Sequence, residues 1–571
     1  MLSGLFRPFL PLENPLGFGV ADYLLLALSI LLIGCLLAWR TILEPYAKRL
    51  ANKPVLCMLG LALVVAVLRL LLLPNYPVPV PGIYDEFSHL LVADTLLHLR
   101  LANPPHPLHQ FFETFFVLQQ PTYSSIYPLG QGMILALGRI LGGSPWTGVV
   151  LCATSLPALC YWMLRAWTTP GWALFGGFLA LFEFGPLSQW TNSYWGGALA
   201  AVAGCLVFGA LPRLRQQALS RHAALLGIGL GIHLLTRPFE SIFLLVSVVL
   251  FFAPAVRHRR EFLRLKKPAA IALLAVSPAV FLTLLQNKQV TGSWATLPYQ
   301  VSQYQYGVPS ALTIQKNPIP HNILTPQQAL DYRMQSLAHG PGRDTISKFL
   351  LRLEYRVRFY RFFFLAPLYL ALPAFLFALR EWRFLWVAVT LALFALGTDL
   401  FPYFQLHYVA AVTCLFILVS VTGLKQLSRL TIRGQFVGAD AALLLAFLCV
   451  LHFGLWYTLN LFKDGEISLA LRRYETWDAI GNSSGQRRAA INRQLMQMPG
   501  QQLVFVHYSP HHVFQDEWVW NSADIDRSKV VWARDLGPQE DQKLLRYYPH
   551  RRVWLLEPDL ATPQLSNYPT P

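Results

Sequence analysis

Residues 54–86 read PVLCMLGLALVVAVLRLLLLPNYPVPVPGIYDE: an almost unbroken apolar run to Leu73, a proline-punctuated stretch, then the pair Asp85-Glu86. A run of that length crosses the roughly 30 Å of bilayer hydrocarbon as a helix, so the two acids stand at a membrane surface. From Glu86 to about Leu101 the apolar spacing is helical. Phe87, Leu90, Leu91, Leu97 and Leu101 fall within an arc of roughly 120° at 100° per residue. The stretch predicts a spanning helix, a turn, and an amphipathic helix lying along the interface.

The rest of the chain keeps this character. Of 571 residues, 54% are hydrophobic and 13% charged, with a mean hydropathy of +0.42; soluble domains carry roughly a quarter charged residues. This is the composition of an α-helical multi-pass membrane protein. Further runs long enough to span lie near 20–39, 146–166, 268–286, 362–380 and 439–459. Shorter apolar pieces near 171–184, 196–211, 222–235, 239–256, 384–398 and 405–424 are broken by Gly, Pro and polar turns and read as shallow or tilted helices, for about twelve in all. The 20–39 run lacks a small-residue cleavage site and ends in Arg40, so it is expected to be an uncleaved span. The net charge of +17 is scattered in short clusters between apolar runs, which argues for topology and against a nucleic-acid partner. Cys35, Cys57, Cys152, Cys160, Cys205, Cys414 and Cys449 all fall in apolar segments without C-x-x-C spacing, so neither a disulfide framework nor a zinc site is expected.

Short basic loops orient the helices. Arg40, Lys48, Arg49 and Lys53; Arg213, Arg215 and Arg221; Arg257 to Lys267; and Lys425, Arg429 and Arg433 belong in the cytoplasm by the positive-inside rule. Alternation then places a first large loop (74–145), the turns at 185–195 and 236–238, a second large loop (288–361) and everything after 460 outside. The membrane domain is thus expected over 1–460 and a small α/β domain over 461–571. In the latter, 503–509, 529–534 and 551–557 read as strands and 538–547 as a helix. His507, His511 and His512 have no evident carboxylate partner in the sequence and read as surface polar residues. Asn482-Ser483-Ser484 fits a glycosylation sequon, a short match that is frequent by chance.

Asp85 and Glu86 have an ordinary explanation, since acids at a helix start stabilise it by about 1 kcal/mol. Asp94 and His98, four apart, explain each other or bond a neighbour. Lys348, Arg352 and Arg356 recur every four residues and form one stripe in a helix. The stripe fits either a snorkelling, headgroup-binding helix or a cradle for a lipid-borne phosphate. Arg237, between two apolar segments, needs an anion: Glu240 or a ligand. Tyr123, Tyr127, Tyr194 and Trp195 fit either the interfacial aromatic belt or faces for a sugar.

These features together resemble the GT-C superfamily of membrane glycosyltransferases, and more closely bacterial relatives of the protein mannosyltransferase and lipid A aminoarabinose transferase families. The residues that carry the resemblance are the acid pair in the first loop, Gln119-Gln120-Pro121-Thr122-Tyr123 with Tyr127-Pro128, Asn192 to Gly197, Leu235 to Glu240, and His407-Tyr408, across roughly 54–460. The resemblance implies transfer of a sugar from a polyprenyl phosphate to a lipid, glycan or protein acceptor on the periplasmic side of the bacterial inner membrane. It implies Asp85 as general base with Glu86 beside it. Arg237, Arg352, Arg356, His407 and Tyr408 would then bind the donor phosphate, and Tyr123, Tyr127, Tyr194 and Trp195 the sugar or acceptor. Two departures stand out: Gln120 replaces a basic residue common before the first-loop proline, and the 185–197 turn holds no acid. No cofactor and no essential metal are therefore expected. A transporter or flippase of lipid-linked saccharide, and a non-catalytic scaffold, are the alternatives; the concentration of acids and arginines at the outer boundary favours catalysis over transport.

Overall fold

The computed structural model describes residues 27–32, 44–340, 344–431, 433–435, 437–462, 485–513 and 515–569. Most of the 20–39 run, with Cys35 and Arg40, and the 482–484 sequon lie outside these.

Among the described residues seven helices are long and apolar enough to cross a bilayer: Pro54–Leu71, Pro145–Leu164, Ala198–Gln217, Pro238–Ala255, Arg259–Thr291, Leu406–Leu427 and Val437–Phe462. Three shorter apolar helices, Leu129–Gly142, Pro170–Phe184 and Trp382–Thr398, pack among them. Three pieces expected to be shallow, near 196–211, 239–256 and 405–424, are thus full-length. The 362–380 stretch departs the other way. It forms 3-10 segments, Tyr360–Phe363, Ala366–Leu370 and Leu372–Arg380, because Pro367 and Pro373 lack the N–H that an α-helical ladder requires. A 3-10 turn rises about 2.0 Å per residue against 1.5 Å, so the segment reaches further than an α-helix of equal length.

The bundle is built around Ala198–Gln217 and Leu406–Leu427, whose apolar windows are 78% and 89% buried. Gly204 allows their approach, since a Cβ there would sit 1.8 Å from the Ala411 carbonyl oxygen. The outer helices Pro54–Leu71 and Arg259–Thr291 leave most of their apolar surface open, as lipid-facing helices do. The basic clusters gather at one end of the bundle, where Arg213 bonds the Trp162 carbonyl, Arg264 the Gln216 carbonyl and Lys425 the Thr168 hydroxyl. The large loops gather at the other.

At that second end sits the C-terminal module. Three parallel strands and an antiparallel edge run in the order Val530–Arg534, Gln502–Val506, Arg552–Glu557, Gln564–Asn567. The last strand was not legible in the sequence; the helix Pro538–Tyr547 was. One sheet face, with Val504, Trp532 and Trp554, is covered by Ile491 and Leu495 of the module's own helix Gln486–Gln497. The other face, with Leu503, Phe505, Val531 and Ala533, shares a core with Leu91, Phe111, Phe112 and Tyr123 of the first loop.

The helix Tyr84–Leu97 therefore does not rest half-exposed on an interface. Asp85, Glu86, Phe87, Ser88, His89, Leu91, Val92, Ala93 and Thr95 are all buried. Its apolar arc faces protein: Phe87 packs on Trp520, and Leu91 enters the shared core.

Candidate active site

The first turn of Tyr84–Leu97 separates the two acids. Glu86 reaches back to accept from the Gly82 and Ile83 N–H groups at 3.0 and 3.4 Å, and its other oxygen accepts from the Tyr194 N–H at 2.9 Å. It caps the helix and ties it to the 185–197 turn. Burial pushes its carboxyl up, against these backbone bonds. Glu86, expected beside the base, is thus committed to backbone.

Asp85 points away from Glu86 and accepts the Tyr127 hydroxyl; of that pair Tyr127, not Asp85, lines the neighbouring cavity. Burial pushes its carboxyl up to about 6; the Tyr127 hydrogen bond opposes that, the Glu86 charge adds to it, and the Arg237 charge lowers it. A carboxylate in that range is ionised at neutral pH yet basic enough to take a proton. One turn on, His89 stacks on the Tyr127 ring at 4.3 Å; burial, then Arg237, depresses its imidazole to about 3, so it is neutral.

Tyr127, His89, Trp195, Arg237, Glu240 and Tyr408 line a cavity of about 350 Å³, closed on its far side by the Arg259–Thr291 helix and residues 297–315. Arg237 is set where one helix ends and the next begins, Ser220–Thr236 and Pro238–Val256. Its guanidinium lies over the Tyr408 ring at 5.2 Å. Among the described residues it makes no side-chain hydrogen bond, and Glu240, which lines the same cavity, closes no ion pair with it. Glu240 and Asp85 feel the Arg237 charge, but neither takes up its N–H groups.

The other arginines are engaged. Arg356 lies 2.9 Å from Asp399 and donates to the Thr398, Phe401 and Tyr403 carbonyls. Arg352 pairs with Asp344 and lies 3.6 Å from Asp399. The stripe on helix Ile346–Phe359 fastens that helix to the end of Trp382–Thr398, and neither guanidinium lines the cavity. This corrects the phosphate cradle: a fully buried Asp399 demands both cations. His407 is buried against Trp195 and Tyr408 at 5.1 and 5.0 Å, behind the wall; only Tyr408 of that pair faces the cavity. Tyr123 donates to the Asn521 carbonyl at 3.0 Å and Tyr194 to Pro79 at 2.9 Å. Both are structural, while Tyr127 and Trp195 face the cavity.

Asp94 accepts from the Ala523 N–H at 2.7 Å, and His98 bonds the Asp94 carbonyl, not its carboxylate. His507 and His512 do have carboxylate partners, Asp535 and Asp559, each at 2.6 Å, but as separate pairs. Among the described residues no three His, Cys, Asp or Glu side chains assemble into a ligand set.

The sequence did not single out His89, though its spacing from Asp85 is one helical turn. Nor did it single out Asp331, which is buried on helix Pro326–His339. Burial pushes Asp331 up to about 7, opposed by the Gln335 hydrogen bond and reinforced by the Asp85 charge. No local pattern announces that two acids 246 positions apart feel each other's charge.

No family model and no curated protein matches this sequence. Among solved structures the chain is similar to ArnT from Cupriavidus metallidurans bound to undecaprenyl phosphate, with 11% identity over 88% of this chain and 92% of that one and a TM-score of 0.48. It is also similar to the oligosaccharyltransferase of Archaeoglobus fulgidus, with 11% identity over 86% of this chain and 67% of that one and a TM-score of 0.47. Both are GT-C proteins, the group the sequence resembles.

Proposed function

We propose that this protein is a membrane glycosyltransferase that moves a sugar from a polyprenyl-phosphate donor to an acceptor hydroxyl. One observation carries the reading: a buried carboxylate with a raised pKa, Asp85, is hydrogen-bonded to a wall residue of a cavity that also holds Arg237, whose guanidinium closes no ion pair among the described residues. The acceptor hydroxyl attacks the anomeric carbon and loses its proton to Asp85. The bond from that carbon to the phosphate oxygen breaks, with inversion, and the electron pair leaves on the lipid phosphate. Arg237 offsets the charge that develops there, in a site poor in water where such pairing is strongest. Tyr127 holds the Asp85 carboxylate in place, and neutral His89 packs Tyr127 from behind.

By the positive-inside rule the basic end lies in the cytoplasm. The site and the C-terminal module then face the periplasm, and the location is the bacterial inner membrane. The acceptor is a lipid, a glycan or a protein.

The test is incubation of purified protein with a panel of polyprenyl-phosphate sugars and candidate acceptors. Formation of a glycosylated acceptor with release of polyprenyl phosphate is expected. Passage of an intact donor across a vesicle membrane with no transfer would replace this reading with that of a flippase.

A further inference from the structure

The stack on Tyr127 accounts for the face of the His89 ring but for neither of its nitrogens. The side chain is 6% exposed, and Nδ1 is sealed inside the protein without a hydrogen-bond partner. Nε2 has no partner among the described residues either, but it is not sealed. Since the ring lines the cavity, Nε2 is the nitrogen that opens onto it. An imidazole buried to this depth with nothing to bond is rare in a folded protein, because each unmet polar group keeps its full desolvation cost.

A neutral imidazole holds one proton and one lone pair. A proton on Nδ1 would be enclosed with no acceptor, whereas one on Nε2 opens onto space that a ligand can fill. The proton therefore belongs on Nε2, and His89 offers the cavity an uncharged N–H. Arg237, whose charge reaches His89, lines the same cavity with no hydrogen bond or ion pair from its guanidinium among the described residues. Two unclaimed donors, one of them cationic, share one space.

An ionised phosphate ester matches this pair: its unesterified oxygens accept, so it can pair a guanidinium and take a further N–H at the same time. We propose that His89 contacts the lipid phosphate directly, its Nε2–H donating to a phosphoryl oxygen of the group that Arg237 pairs with. Being uncharged, it adds a directional hydrogen bond without burying a second cation. The proposal rests on the glycosyltransferase reading for the choice of a polyprenyl phosphate as ligand. Its test measures binding without acceptor, so the two fail separately.

Two substitutions pull the ring's packing and its hydrogen bond apart. His89→Phe keeps a ring against Tyr127 and loses the N–H; His89→Gln loses the ring and keeps an N–H at about the reach of Nε2. Full-length protein in mixed micelles is titrated with polyprenyl phosphate, polyprenyl-phospho-hexose and phosphatidylglycerol, following tryptophan fluorescence. His89→Phe is expected to weaken both polyprenyl ligands by about tenfold or more, as loss of a hydrogen bond to a charged group does, with the melting temperature unchanged. His89→Gln is expected to stay within about threefold of the parent. Unchanged affinity in His89→Phe, or a greater loss in His89→Gln than in His89→Phe, would make His89 a packing residue and overturn the proposal. A loss confined to the hexose lipid would move the contact to the sugar and overturn it too. So would phosphatidylglycerol bound by the parent as tightly as polyprenyl phosphate, since any membrane headgroup would then satisfy the site. The expected pattern together with no transfer to any acceptor would support the contact and remove the catalytic reading.

Discussion

The Tyr127 hydroxyl donates to the Asp85 carboxylate, joining the first turn of the Tyr84–Leu97 helix to the cavity wall. Burial, helped by the Glu86 charge, drives this carboxyl upward, and the Tyr127 bond is the largest influence against it, leaving it at about 6. A base works ionised, so kcat/KM is expected to fall on the acid side below about pH 6. Tyr127→Phe removes a bond that favours the ionised form. The Asp85 pKa then rises, the acid limb moves to higher pH, and activity at pH 5.5 falls more than at pH 8. An acid limb that stays where it is would separate Tyr127 from Asp85 in function.

Among the described residues Arg237 is the one Lys or Arg facing the cavity, so Arg237→Gln should weaken polyprenyl phosphate binding by about tenfold to a hundredfold, as for a lost hydrogen bond to a charged group. It should also shift the Asp85 limb upward, because its positive charge now lowers that pKa. Arg352→Gln should instead lower the melting temperature, leaving buried Asp399 and Asp344 short of a cation, with phosphate affinity unchanged. Titration calorimetry on the two variants distinguishes these roles.

The C-terminal module buttresses the helix that carries Asp85. The Trp520 indole donates to the Phe87 carbonyl at 2.9 Å. Arg488 lies over the Phe87 ring at 5.0 Å and donates to the Trp518 and Trp520 carbonyls at 3.0 and 3.1 Å. Trp520→Ala should therefore lower kcat more than it raises the donor KM, and Trp520→Phe, which keeps a ring against Phe87, should recover part of the loss. Equal loss in both variants, or a change in KM alone, would contradict a positioning role.

Asp331 gives a stability test. Its carboxyl is pushed up to about 7 in the folded protein, against roughly 4 in an unfolded chain. Below about pH 4 both states hold the proton and nothing is lost. Between there and about pH 7 the unfolded state ionises first, so stability falls as pH rises. Asp331→Asn removes this dependence and keeps an oxygen for Gln335. The variant should melt higher than the parent at pH 8, with the gain shrinking towards pH 4 in a thermal scan.

Spans such as Pro54–Leu71 and Val437–Phe462 were legible because their apolar length is a local property of the chain. The 3-10 run after Tyr360 was missed because apolar length says nothing about hydrogen-bond spacing, although Pro367 and Pro373 marked the place. At the site, Asp85, Tyr127, Arg237, Trp195 and Tyr408 fall at or beside the cavity, each carried by a short motif at a loop or helix end. Arg352 and Arg356 looked free because Asp399, the acid they share, lies more than forty positions away.

The central claim is that Asp85 takes the acceptor proton, and single-turnover transfer by Asp85→Asn tests it most directly. Removing a general base is expected to slow transfer by about 10²- to 10⁴-fold, with the helix intact because Glu86 carries the cap, and with polyprenyl phosphate binding unchanged. Transfer at the parent rate by a folded Asp85→Asn protein would contradict the account.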